Sequence, residues 1–221
     1  MTRQKARLRQ GLALALFAAL ALSATYAFIR LLGSTEHTSA QRDYTLMTVQ
    51  CIMGIVIMML PTFAARKWFI PFTDLVYIMY YLFLFCAVFL GEVLYFYYRV
   101  KHWDTLLHFF SGAVLTALGF FIIGTIAKRH SEGIASSTLL IVIFSFLFAM
   151  GGEAFWEMYE YAIDSLANLN MQKYMTEAGE LLTGREALAD TMKDICAAAL
   201  GAFIAALIGH HSLKKKLRAP S

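Results

Sequence analysis

The sequence predicts an all-α fold, a polytopic transmembrane helix bundle of six spans with both termini cytoplasmic. Three observations carry that prediction. Of the 221 residues, 59% are hydrophobic and only 15% charged, and mean hydropathy is positive, beyond what a soluble domain carries. The apolar residues fall into six runs, each near the ~20 residues that a membrane helix needs. The Lys and Arg gather at alternate run ends, namely Arg3 to Arg9, Arg66 and Lys67, Lys128 and Arg129, and Lys214 to Arg218. The positive-inside rule makes that side cytoplasmic.

Taken in order, the first span covers about 11–32. Ala-Leu-Ser-Ala at 21–24 resembles a signal-peptidase site, so a cleaved leader stays open, but the run continues through Tyr26, Phe28 and Ile29 and its length favours a retained helix. A polar loop over 33–44 precedes the second span, 45–65, whose Pro61 is expected to kink it, with Trp68 marking the interface. The third, 72–98, ends in Tyr95, Phe96, Tyr97 and Tyr98, with Glu92 expected near the membrane surface. The fourth, 103–127, opens with Asp104 and His108 on one face, then sets Ser111, Gly112, Thr116 and Gly119 at helix-packing intervals. The fifth is 136–164. A polar connection of about 25 residues, the length of a functional or mobile loop, leads to the sixth, 189–209, where Gly201, Ala205 and Gly209 recur every fourth residue. The chain 1–221 thus reads as a single membrane domain. Cys51, Cys86 and Cys196 each stand alone in an apolar run, which argues against a disulfide framework and reads as three small core residues. The net charge of +4 resides in the topology signals, so no nucleic-acid partner is expected.

The chemistry centres on the fifth span. Glu153, Glu157, Glu160 and Asp164 project within an arc of about 60° on one helix face. Acids along a membrane face are costly unless a cationic, protonated or wet partner meets them. The topology puts all the acids except Asp74 and Glu132 in the outward half. At about 1.5 Å rise per residue, Asp104, Asp164 and Asp190 lie near the outer interface, and His108 and Asp194 about 6 Å deeper. Carboxylates and one imidazole from several helices make a hard-ligand site for a divalent metal, with His108, Glu157, Glu160, Asp190 and Asp194 as candidate ligands. Glu153 or Asp104 is left as a candidate general base. Glu92, Asp164 and Gln172 complete the polar cluster. His37, His102, His130, His210 and His211 fall in loops or the tail and read as surface residues.

Read as a set, Gly91-Glu92, Trp103-Asp104-x-x-x-His108-x-x-x-Gly112, Trp156-Glu157-x-x-Glu160-x-x-x-Asp164, Asn170-Met171-Gln172 and Asp190-Thr191-x-x-Asp194 with Gly201-Ala202 resemble the YjdF-like family of bacterial integral-membrane proteins. The resemblance implies a multi-pass protein of the bacterial cytoplasmic membrane and no particular activity. A fainter likeness to VanZ-type proteins rests on a membrane histidine, a later Glu and Gln, and Asp-x-x-x-Asp before a Gly-Ala helix; it points to envelope chemistry.

Three functions fit. In an enzyme, the metal would activate water or polarise a head group of an amphipathic or lipid-linked envelope molecule. In a transporter or sensor the stripe would be a cation path, but below Glu153 the fifth span offers only Ser145 and small hydroxyls near its start. In a scaffold the cluster would fix helix packing. A metal or ligand site ranks first, and oligomeric state stays open.

Overall fold

The computed structural model describes residues 2–33, 39–67, 72–129, 138–176 and 178–218. The expected all-α class is found: six helices are long and apolar enough to cross a membrane, and no strand occurs among the described residues. His37, Trp68 and His130 lie outside them. His102 and His211 are exposed as expected, whereas His210 is half-buried. Two compact units divide the chain, Met1–Trp103 and Asp104–Ser221.

The first unit contains α1 (Thr2–Leu32), α2 (Ser39–Lys67), α3 (Asp74–Leu84) and the four-residue α4 (Phe96–Arg99). α1 starts ahead of the expected position 11 because its basic stretch is rich in good helix formers, and Arg9 is held by Asp74 at 2.8 Å. α2 likewise begins inside the stretch expected as loop. Leu16 and Leu20 of α1, Met47 and Cys51 of α2 and Tyr81 of α3 share one apolar core. Pro61 does not end α2, which runs on to Lys67. A proline there removes the N–H that would bond the Ile57 carbonyl, and the Tyr80 hydroxyl of α3 donates to that oxygen instead, at 2.7 Å.

The third span stops short of the expected residue 98. α3 widens into a π-helical segment, Phe85–Val93, and Tyr95 then turns left-handed at φ 60°. Gly91 explains the return of the chain: the Tyr97 ring lies where a Cβ would be. Glu92, at the end of the segment, is buried.

The second unit comprises α5 (Trp103–Arg129), α6 (Thr138–Ala167) and α7 (Arg185–Arg218). The small residues on α5 do pack. Gly112 lies against the Ala198 carbonyl of α7, and Gly201 of α7 lies against the Phe109 carbonyl, so neither position has room for a Cβ. Gly119 meets α6 at Ser145, where a Cβ would stand 2.8 Å from the backbone. Thr116 donates within its own helix to the Gly112 carbonyl at 2.8 Å and faces the Ala202 carbonyl at 3.4 Å. α6 is inside-out relative to a water-soluble helix: Glu153, Glu157, Glu160 and Asp164 are buried, while Phe155, Met158, Tyr161 and Leu166 are exposed.

Asn168, left-handed at φ 54°, ends α6. The connection narrows to 168–184 because α7 already begins at Arg185, just after Gly184 with φ 59°. Within it, Leu182 N–H bonds Tyr174 O at 2.9 Å and Thr176 N–H bonds Glu180 O at 2.8 Å, a small hairpin-like turn.

Candidate functional site

The polar residues of the second unit gather at one end of its three helices. Asp104 stands in the first turn of α5, with His108 one turn on; Glu153 to Asp164 fill the last turns of α6; Asp190 and Asp194 lie in the first turns of α7. Burial decides the meaning of the stripe. Its four acids are 2–8% exposed, so they are not a solvated extension of α6.

His108 is the hub. Its Nδ1 pairs with Glu153 Oε1, and its Nε2 lies 3.5 Å from Asp104 Oδ1. Ser111 supports this pair by donating to His108 O at 2.8 Å, with Glu153 Oε2 at 3.4 Å. Two overlapping groups hold ligand-type atoms within 4.8 Å of one another, Asp104, His108 and Asp194 in one and His108, Glu153 and Glu157 in the other. Asp194 is 2% exposed and its Oδ1 has no hydrogen-bond partner, nor has Glu157 Oε1. A buried carboxylate oxygen without a donor is destabilising by about 1–3 kcal/mol, more when charged.

The connection delivers two side chains into this end. Asp164 accepts the backbone N–H groups of Met171 at 2.8 Å and Gln172 at 3.0 Å, which sets the path of the chain. The Gln172 amide then donates toward Glu157 Oε2 and Thr191 Oγ1, both at 3.2 Å. Lys173, left-handed at φ 48°, reaches Asp104 and, at 3.0 Å, Asp190. Burial opposes its positive charge, but the two aspartates outweigh burial and hold its pKa above the ordinary lysine value.

The expected ligands are therefore not all in one place. His108, Glu157 and Asp194 belong to the two groups around the imidazole. Glu160 instead accepts the Trp156 indole N–H at 2.8 Å, and Asp190 is engaged by Lys173 and by Lys193 at 2.8 Å. Asp104 and Glu153, the candidate bases, are the residues that bracket His108. Asp164 and Gln172 build the rim; Glu92 belongs to the first unit. Lys173, Ser111 and Thr191 were not singled out for the site from sequence. Lys173 carried a signal all the same, as the lone basic residue of 168–184.

A groove of about 730 Å³ opens beside the cluster, between the last turns of α6, the connection and the first turns of α7. No curated protein and no solved structure matches the chain. The likeness to VanZ-type proteins is not shown by any match. The model of a family described as "Predicted membrane protein (DUF2238)" matches residues 11–215, nearly the whole sequence, and the chain belongs to that family of multispanning membrane proteins.

Proposed function

We propose that the second unit binds one divalent first-row cation through His108 Nε2, Asp104 and Asp194, and uses it on the head group of an amphipathic envelope molecule. The observation that carries this reading is Asp194 Oδ1, fully enclosed and without a donor, on a residue that has a carboxylate oxygen within 4.8 Å of ligand-type atoms of both Asp104 and His108. A Glu153 carboxylate on Nδ1 fixes the tautomer with its lone pair on Nε2, the arrangement that orients a metal-ligating histidine. The 3.5 Å from Nε2 to Asp104 Oδ1 is long for a hydrogen bond, yet close to the spacing of two donors each about 2.1 Å from a shared ion. Carboxylates also outnumber Lys173, Lys193 and a protonated His108 at this end, and a cation would offset the excess. One nitrogen and two carboxylates suit Zn, Mn or Fe, and such an ion would activate water or polarise a phosphoryl or carbonyl oxygen. The basic segment ends argue for the extracytoplasmic leaflet of a bacterial cytoplasmic membrane.

Purified wild-type chain is expected to retain about one divalent ion, and Asp194→Asn to lose it while keeping its helical content and elution volume. Wild-type protein free of metal would remove this reading. It would leave the scaffold, which the Lys173 bridge between α5 and α7 favours. Envelope lipid profiles of cells carrying His108→Ala test the use of the ion; an unchanged profile would count against catalysis.

A further inference from the structure

We infer that Lys173 is a gate: its ammonium closes the mouth of the acidic cluster, and a cation reaches the interior by displacing it from Asp104 and Asp190. This concerns entry to the cluster and does not require that a divalent ion be what settles there. Exposure falls stepwise along the contacts that lead inward. Lys173 is 38% exposed, and the aspartates it holds, Asp104 and Asp190, are 17% and 11% exposed. His108, next to Asp104, is 6% exposed, and Asp194, which has a carboxylate oxygen within 4.8 Å of ligand-type atoms of both, is 2% exposed. Asp104 belongs to α5 and Asp190 to α7, so the ammonium spans the end of two helices. Lys193 also pairs with Asp190, but from three residues along the same helix, where it bridges nothing.

The moving part is the side chain, because its backbone sits on a loop tied from several sides. Asp164 accepts the N–H groups of Met171 and Gln172. The Asn170 side chain donates to Met175 O at 2.9 Å and accepts the Met175 N–H at 3.0 Å, and Leu169 and Met175 are buried. From this fixed base a flexible four-carbon stem carries the charge, and rotation about its bonds withdraws the ammonium without unfolding the loop. What takes its place is a cation. With the ammonium withdrawn, Asp104 and Asp190 stand at the mouth with Asp194 and the buried acids of α6 behind them, a field that draws cations in and turns anions away.

The test puts a reporter thiol at the enclosed end, Asp194→Cys, in full-length protein that also carries Cys196→Ala, in a non-ionic maltoside detergent at about pH 8. Two methanethiosulfonate reagents of similar length, one an aminoethyl cation and one a sulfonatoethyl anion, are timed on each variant, and peptide mass spectrometry reads the label at position 194. The ratio of the two rates within one variant cancels any change in the reactivity of the thiol itself. Lys173→Met is expected to raise both the aminoethyl rate and this ratio about ten-fold, and Lys173→Arg, which keeps the charge, to leave both near the wild-type values. Lys173→Gln repeats the test should the methionine variant fail to fold. Ser145→Cys, a nearly isosteric change at a fully buried position of α6, reports general loosening of the unit and should not respond to Lys173→Met. An unchanged aminoethyl rate, an equal gain for the anion, Lys173→Arg behaving as Lys173→Met, or an equal gain at Ser145→Cys would each overturn the gate. Asp194→Cys lacks a proposed metal ligand, so the labelling needs no ion, and metal content of the wild-type chain separates the two readings. Charge-selective labelling with no ion in the wild type removes the metal alone, and an ion retained with labelling indifferent to Lys173 removes the gate alone.

Discussion

Lys173 shows how one side chain can hold a buried acidic site together. It adopts a left-handed backbone that non-glycine residues rarely occupy, at a cost of order 1 kcal/mol, and in return reaches Asp104 of α5 and Asp190 of α7. Lys173→Met should lower stability by about 1–2 kcal/mol, modest because the lysine is 38% exposed, and should loosen the connection. Unfolding in detergent measures the first and proteolysis within 174–182 the second. The pH dependence has a definite sign. A folded pKa above the ordinary 10.5 means that the contribution is fully present below 10.5 and is lost as pH rises through the higher folded value. The gap between wild type and Lys173→Met is thus expected to stay constant from neutral pH up to about 10 and to close only beyond it.

The helices respond to substitution according to what each small residue touches. Gly201 faces a backbone carbonyl of α5 that cannot swing aside, so Gly201→Ala should separate α5 from α7 at a cost of about 1–3 kcal/mol. Gly151 has open space around it on the exposed side of α6, and Gly151→Ala should leave stability unchanged or raise it by up to about 1 kcal/mol. Melting temperatures of the two variants compare these directly. In the first unit, Tyr80→Phe would orphan the Ile57 carbonyl left by Pro61, a loss of about 1 kcal/mol by the same measurement.

For the whole molecule, the proposed topology is open to cysteine labelling in intact cells. Cysteines placed at positions 5 and 215 should be shielded, and one at Glu180, exposed in the connection, should react with an impermeant reagent. The reverse pattern would move the cluster to the cytoplasmic leaflet without changing its internal geometry.

Hydropathy and the helical period are properties of consecutive residues, so the six apolar helices and the acids sharing one face of α6 were legible in the sequence alone. The third span misled because aromatic hydrophobicity continues to Tyr98 while the backbone turns at Tyr95, a turn set by a ring folding back on Gly91. Which acids meet His108 was not legible either. Glu160 and Asp190 carry the same charge as Glu157 and Asp194, and their different partners follow from the rotation of each helix about its own axis and from the path of 168–184. Those are set by contacts between distant parts of the chain. Local pattern therefore fixed what each helix is and which of its faces is polar, and tertiary packing selected Glu153, Asp104 and Lys173 as the side chains that close around the imidazole and its acids.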